Sequence, residues 1–289
     1  MTNRRQLLKG LALTGAGLSA GVWSGAGLAA QQPLQNRVRH SVARWTFGDM
    51  DIESLCQAVK KIGFSAIDLV GPQDWPVLKK YGIDSAMCNG AELNLTDGWC
   101  APEFHDQLIK RYRHHIDLVA EAGYRNLVCF SGNKRGMDPQ AGLDNAAKGL
   151  SSILGHAEKR GVVLHMELFN AIDHPDYMAD NSAWGVALCR RLQSPNFKLL
   201  YDIYHMQVNE GNIIQTIQDN IAYFGHFHTA GVPGRHEIDD SQELNYRAIV
   251  KAIHSLNFEG YVAQEFIPTA NTQAGRLAAL KQAVKICDV

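Results

Sequence analysis

Residues 140–167 read Q-A-G-L-D-N-A-A-K-G-L-S-S-I-L-G-H-A-E-K-R-G-V-V-L-H-M-E. A helical stretch, 140–160, runs into Gly161, and a short apolar run, 162–167, follows and ends on a carboxylate. A glycine at such a junction reads as a helix C-terminal cap, because it takes the left-handed conformation that closes the last turn. Gly63, Gly82 and Gly123 also follow helical segments and precede apolar runs. Eight strand candidates emerge, at 40–44, 66–70, 83–89, 126–130, 162–167, 197–202, 223–228 and 261–266. The clearest helices fall at 52–62, 104–122, 140–160, 244–256 and 273–286. In 104–122, Leu108, Tyr112, His115, Leu118 and Val119 keep the spacing of one buried face. Eight strand–helix units in about 250 residues match the size of an α/β fold of the (β/α)₈ TIM-barrel type. A doubly wound open sheet is the alternative.

Composition excludes several classes. Of 289 residues, 46% are hydrophobic and 20% charged, which is enough apolar surface for a sizeable core and too much for a disordered chain. The 28 basic and 29 acidic residues give no basic footprint for nucleic acid or an anionic membrane. Cys56, Cys88, Cys100, Cys129, Cys189 and Cys287 contain no C-x-x-C, so no zinc ribbon or thioredoxin-type motif is present. Residues 1–30 carry Arg4-Arg5, then Lys9, then an uncharged Gly-rich stretch ending G-L-A-A. This resembles a twin-arginine export signal, cleaved at small residues and handing the chain to the twin-arginine export machinery. The expected organisation is therefore a leader over 1–30 and one barrel domain over 31–289, in the periplasm. An uncleaved leader anchoring the chain to the membrane is the alternative. A substrate of that route crosses folded, so mostly free thiols are expected. Self-association into a homo-oligomer is left open.

Four consecutive strands end in ionisable residues: Glu167, Asp202, His228 and Glu265. Carboxylates are rarely buried unless paired or bound to metal. In a barrel these ends surround one pocket at the C-terminal face. Three oxygen donors and one imidazole make a site for one divalent metal ion, Mn²⁺ or Mg²⁺ first, with Co²⁺ allowed. His205, three residues past Asp202, is placed to act on a substrate oxygen. In A-G-V-P-G-R-H-E, the tight turn leaves Arg235 near the strand end, suited to a substrate carboxylate or, alternatively, to a salt bridge with Glu237 or Asp239. His165 and His226 read as inward barrel-layer residues, with a role behind His228 left open for His226. Asp68 and Glu92 fall where they line the pocket without an assigned role, and Ser131-Gly132-Asn133-Lys134 reads as a loop. No G-x-S-x-G elbow, Walker loop or H-E-x-x-H occurs.

Two glutamates beside a metal suit proton transfer next to a carbonyl, with an enediolate between removal and return of the proton. At these residues the chain resembles the hydroxypyruvate isomerase family of xylose-isomerase-like barrels. The resemblance runs from about 37 to 270. It rests on E-L-F-N at 167–170, Y-D-I-Y-H-M-Q at 201–207, H-T-A-G-V-P-G-R-H-E-I-D at 228–239, E-L-N-Y at 243–246 and Q-E-F-I-P at 264–268. It implies Glu167 and Glu265 as the catalytic pair and also metal ligands, with Asp202 and His228 completing the metal set. It further implies His205 and Arg235 on the substrate. The implied reaction interconverts hydroxypyruvate and 2-hydroxy-3-oxopropanoate, or a similar small hydroxy-keto acid. A ketose epimerase or sugar isomerase using the same site is the alternative. A phosphodiester-cleaving barrel and a non-catalytic sugar-binding module are weaker readings, the first opposed by the acidic balance and the few ligating histidines.

Overall fold

The computed structural model describes residues 33–289; the leader expected over 1–30 lies outside the described residues. Eight strands follow in chain order: β1 (Arg39–Val42), β2 (Ala66–Ile67), β3 (Asp84–Ser85), β4 (Asn126–Cys129), β5 (Val163–Glu167), β6 (Phe197–Asp202), β7 (Phe224–Thr229) and β8 (Tyr261–Gln264). The helices between and after them are α1 (Ile52–Ile62), α2 (Trp75–Tyr81), α3 (His105–Glu121), α4 (Pro139–Arg160), α5 (Ser182–Leu192), α6 (Ile203–Asn209), α7 (Ile213–Asn220), α8 (Tyr246–Ser255) and α9 (Gln273–Cys287).

Six strands form one parallel sheet in the order β1-β8-β7-β6-β5-β4, and β2 pairs in parallel with β3. Single bridges join the two parts, Ala43 to Asp68 on one side and Cys88 to Leu127 on the other. The ring thereby closes into the (β/α)₈ barrel. The second and third strands are shorter than their apolar runs. Leu69 takes φ of 53° and breaks the pleat directly after Asp68, so only a lone Val70–Cys88 bridge continues the pairing.

Local signals place the helices. Asp51 caps α1 by accepting from Ser54 N, and Gly63 closes it at φ 118°. Asp138 caps α4, Pro139 opens it and Gly161 ends it at φ 70°. In α3 the buried stripe is Leu108, Tyr112, Ile116 and Val119, with His115 and Leu118 only half-buried. Ile116 takes the place expected for His115 because steps of four, four and three residues track one side of a 3.6-residue helix. All six cysteines are buried thiols without a disulfide. Among the described residues no helix is long and apolar enough to cross a membrane.

Candidate active site

Sheet register brings the four strand ends together. Asp202 stands opposite His228 across β6 and β7, and Glu167 is one strand further, opposite Leu200. Glu265 lies one residue past β8, where its N–H donates to Thr229 O at 2.9 Å and extends the ladder. Glu167, Asp202, His228 and Glu265 are each at most 2% exposed, and one donor atom from each lies within 4.8 Å of all the others. His228 Nδ1 is 2.9 Å from Glu265 Oε2, 3.1 Å from Glu167 Oε1 and 4.0 Å from Asp202 Oδ2. Neither His228 Nδ1 nor Asp202 Oδ2 has a hydrogen-bond partner, although both are buried. Unpartnered buried polar atoms are costly. Here they converge on one point with three carboxylates and one imidazole, a donor set that fits a hard divalent cation.

Without a cation the cluster is electrostatically strained. Burial pushes the Glu167 carboxyl up and the Asp202 carboxyl up to about 7. Burial acts the same way on Glu265, but His228 and Arg235 outweigh it and hold Glu265 well below the usual carboxylate range. Burial opposes the charge on His228, yet Glu265 and Glu167 raise its pKa well above the usual imidazole value. The site therefore draws positive charge from its own side chains.

His205 is fully buried beside Asp202, its Nε2 3.6 Å from Asp202 Oδ2. Its Nδ1 accepts from the Asn170 backbone N–H at 3.2 Å and from the Asn170 amide at 2.7 Å. The amide cannot be turned round, because Asn170 Oδ1 already accepts from Ile172 N and Asp173 N. The ring proton consequently resides on Nε2, on the side of the site. Burial, with Arg235 nearby, keeps this imidazole neutral, well below its usual pKa.

Arg235 pairs with neither Glu237 nor Asp239. Glu237 instead accepts from Thr269, and Asp239 from Ser241. The Arg235 Nη2 donates to Glu265 Oε2 at 2.5 Å and lies 3.5 Å from Asp202 Oδ2. Its guanidinium is flanked by the Trp45 and Tyr204 rings, at 5.3 and 5.4 Å from their centres. The turn before it contains a cis Val232–Pro233 bond and Gly234 at φ 90°.

Three residues without a role in the sequence reading belong to the site. Trp45, after β1, donates its indole N–H to Glu265 Oε1 at 2.8 Å. Asn170 orients His205 and stands in the E-L-F-N stretch. Asp68 is fully buried and accepts from His228 Nε2 at 2.7 Å. Burial would raise its pKa, but His226 and His228 hold it below the ordinary carboxylate value. His226 and His165 are buried inside the barrel, His165 with its Nε2 3.1 Å from Asn126 Oδ1. Glu92 lines the cavity and accepts from Gly90 N, while Lys134 is engaged by Asp180. The cavity above the cluster measures about 540 Å³, and its walls include Trp45, Leu69, Leu93, Phe130 and Phe169.

A closed (β/α)₈ barrel with acidic strand ends around one cavity defines a class of small-molecule enzymes. Residues 56–284 match the family described as xylose isomerase-like TIM barrel, and the chain belongs to that enzyme family. It is similar to a 2-oxo-tetronate isomerase of Cupriavidus necator, 36% identical over 119 residues, spanning 41% of this chain and 45% of that protein. It is also similar to a hydroxypyruvate isomerase of Escherichia coli, 26% identical over 240 residues, covering 79% of this chain and 93% of that one. The first alignment thus spans under half of its relative and the second more than nine-tenths. Among solved structures, a D-psicose 3-epimerase from Clostridium cellulolyticum bound to D-tagatose superposes with a TM-score of 0.74. At 15% identity over 86% of this chain and 98% of that one, the likeness concerns the fold alone.

Proposed function

We propose that this chain is a metal-dependent isomerase that interconverts hydroxypyruvate and 2-hydroxy-3-oxopropanoate, or a closely related small hydroxy-keto acid. The observation that carries the reading is the convergence of Glu167, Asp202, His228 and Glu265 on one buried point, with His228 Nδ1 between the two glutamates. The isomerase names of the two relatives agree with it. A divalent cation held by these four side chains supplies Lewis-acid polarisation of the substrate carbonyl. Glu167 takes the proton from the carbon next to that carbonyl; the proton then passes from Glu167 to Glu265, which returns it at the adjacent carbon, so both carboxylates end the turnover as they began. His205 donates its Nε2–H to the oxygen on which charge develops. Arg235 steadies Glu265 and offers its buried, unpartnered Nε toward a substrate carboxylate.

A ketose epimerase on the same residues is the second reading, favoured by cavity size. Pockets of about 300–1,000 Å³ hold drug-sized ligands, and 540 Å³ with an apolar wall exceeds what a three-carbon acid fills. Incubating Mn²⁺-loaded protein in D₂O with hydroxypyruvate and, separately, with free ketoses decides between them. Deuterium in the three-carbon acid supports the first reading; deuterium only in ketoses replaces it with the second. Export to the periplasm through residues 1–30 is part of the proposal. It is tested by fractionating cells that express the chain with Arg4→Lys and Arg5→Lys together.

A further inference from the structure

Beneath the four strand-end residues lies a second buried cluster. Asp68, His226 and His228 are all fully buried, with ligating atoms within 4.8 Å of one another. Asp68 follows β2, while both histidines are on β7, so the contact crosses the barrel interior from one wall to the other. The carboxylate receives no lysine or arginine among its contacts in the described residues. Its Oδ2 accepts from His228 Nε2 at 2.7 Å, and its Oδ1 is 3.0 Å from His226 Nε2.

This geometry decides which nitrogen of His228 can bind a cation. An ionised carboxylate has no proton to give, so the short contact requires the proton on Nε2. When a cation takes the place of the Nδ1 proton between Glu167 and Glu265, the neutral imidazole keeps its one N–H on Nε2, and the Nδ1 lone pair is the one freed for the ion. Were Asp68 absent, the proton could sit on either nitrogen, and the ring could turn about its χ2 torsion. Metal-ligating histidines generally depend on such a partner, and its loss typically weakens metal binding 10–100-fold.

We propose that Asp68 is a positioning residue for the cation site: it fixes His228 with its proton on Nε2 and presents Nδ1 as the ligand. The inference rests on the reading of Glu167, Asp202, His228 and Glu265 as a cation site. His226 Nε2 stands 3.0 Å from the second carboxylate oxygen without the alignment of a hydrogen bond, and its ring packs Asp68 against His228. The carboxylate is needed because both of its oxygens face imidazole nitrogens. An amide at position 68 offers an acceptor to one ring only and turns its NH₂ on the other.

The test is titration of the metal-free full chain with Mn²⁺, followed by calorimetry and by the spin signal of free Mn²⁺, for the wild type, Asp68→Asn and Asp68→Ala. Wild type binds one equivalent. Asp68→Ala binds 10–100-fold more weakly, and Asp68→Asn falls between the two. In Mg²⁺-loaded protein, imidazole ¹⁵N shifts place the His228 proton on Nε2 in the wild type and on a mixture of nitrogens in Asp68→Ala. If wild type binds no Mn²⁺, the cation reading itself fails. If wild type binds one equivalent and both variants bind equally well, Asp68 has no positioning role and the inference is overturned. Two equivalents in the wild type also overturn it, since Asp68, His226 and His228 would then hold an ion of their own. Chelated melting curves separate a folding defect from these outcomes. If Asp68→Ala fails to fold, Asp68→Asn carries the comparison alone.

Discussion

The indole N–H of Trp45 donates to Glu265 Oε1 at 2.8 Å, while Arg235 donates to Glu265 Oε2 at 2.5 Å. Glu167 receives neither contact; its carboxylate faces His228. The two glutamates are therefore unlike, one clamped in its ionised form and the other left as the stronger base. Replacing Trp45 by Phe keeps a ring beside Arg235 and removes one donor to a charged group. Such bonds are worth about 1.5–3 kcal/mol, so kcat is expected to fall roughly tenfold or more. Because Trp45 is 45% exposed, its melting temperature should barely change. Steady-state kinetics and calorimetry check both halves.

The inequality also separates the proton steps. Glu167→Gln is expected to lose both turnover and exchange of the substrate C–H with D₂O, by roughly 10²–10⁴-fold. Glu265→Gln should lose turnover while retaining exchange, since the first base remains. Equal loss of exchange in both variants would show that the assignment of first base is wrong.

Stability of the chelated protein should depend on pH in a stated direction. Asp202 rises from an ordinary 3.8 to about 7 on folding, and Glu167 also rises. Above about pH 5, where Glu265 and Asp68 are ionised in both states, the folded state holds more protons than the unfolded one up to about pH 7, so stability falls as pH increases through that window. His228, raised on folding, contributes stability below its ordinary pKa that is lost at higher pH, in the same direction. Divalent cation binds the deprotonated ligands and reverses the trend. The gap in melting temperature between Mn²⁺-loaded and chelated protein should widen from pH 5 to 8.

Asn170→Ala removes the amide that fixes the proton position on His205. The backbone N–H of residue 170 still reaches Nδ1 at 3.2 Å, so orientation is loosened, not lost. A kcat reduced about tenfold with KM little changed is expected for a donor that acts mainly as charge develops. A KM effect alone would assign His205 to ground-state binding.

Gly98 packs against the chain beyond β4. A Cβ there would run into the backbone of Phe130, Ser131 and Gly132, which cannot move aside as a flexible side chain can. Gly98→Ala is expected to destabilise by about 1–3 kcal/mol, measured by urea unfolding.

Much of the site was legible because apolar runs ending in Glu167, Asp202, His228 and Glu265 announce themselves locally. The barrel was legible for the same reason, through glycine caps such as Gly161 and Gly63. Three things were not. The brevity of β2 and β3 stems from the positive φ of Leu69, which no side-chain pattern signals. The partners of Arg235 are Glu265 and Asp202, remote in sequence, not its neighbours Glu237 and Asp239. Trp45 reaches Glu265 across 220 positions, a closeness that exists only once β1 lies beside β8.

The ring is unevenly built, with continuous ladders through β4–β8 and β1 but only single bridges to the β2–β3 sector. All four strand-end donors stand on the continuous arc, whereas Leu69, Asn89, Gly90, Glu92 and Leu93 of the cavity wall belong to the lightly attached sector and the loop after it. Reactive machinery and selectivity wall are thus mechanically separable. Substitutions in the lightly attached wedge can reshape what the enzyme accepts while the arc that carries Glu167, Asp202, His228 and Glu265 keeps its form, provided Asp68 is spared.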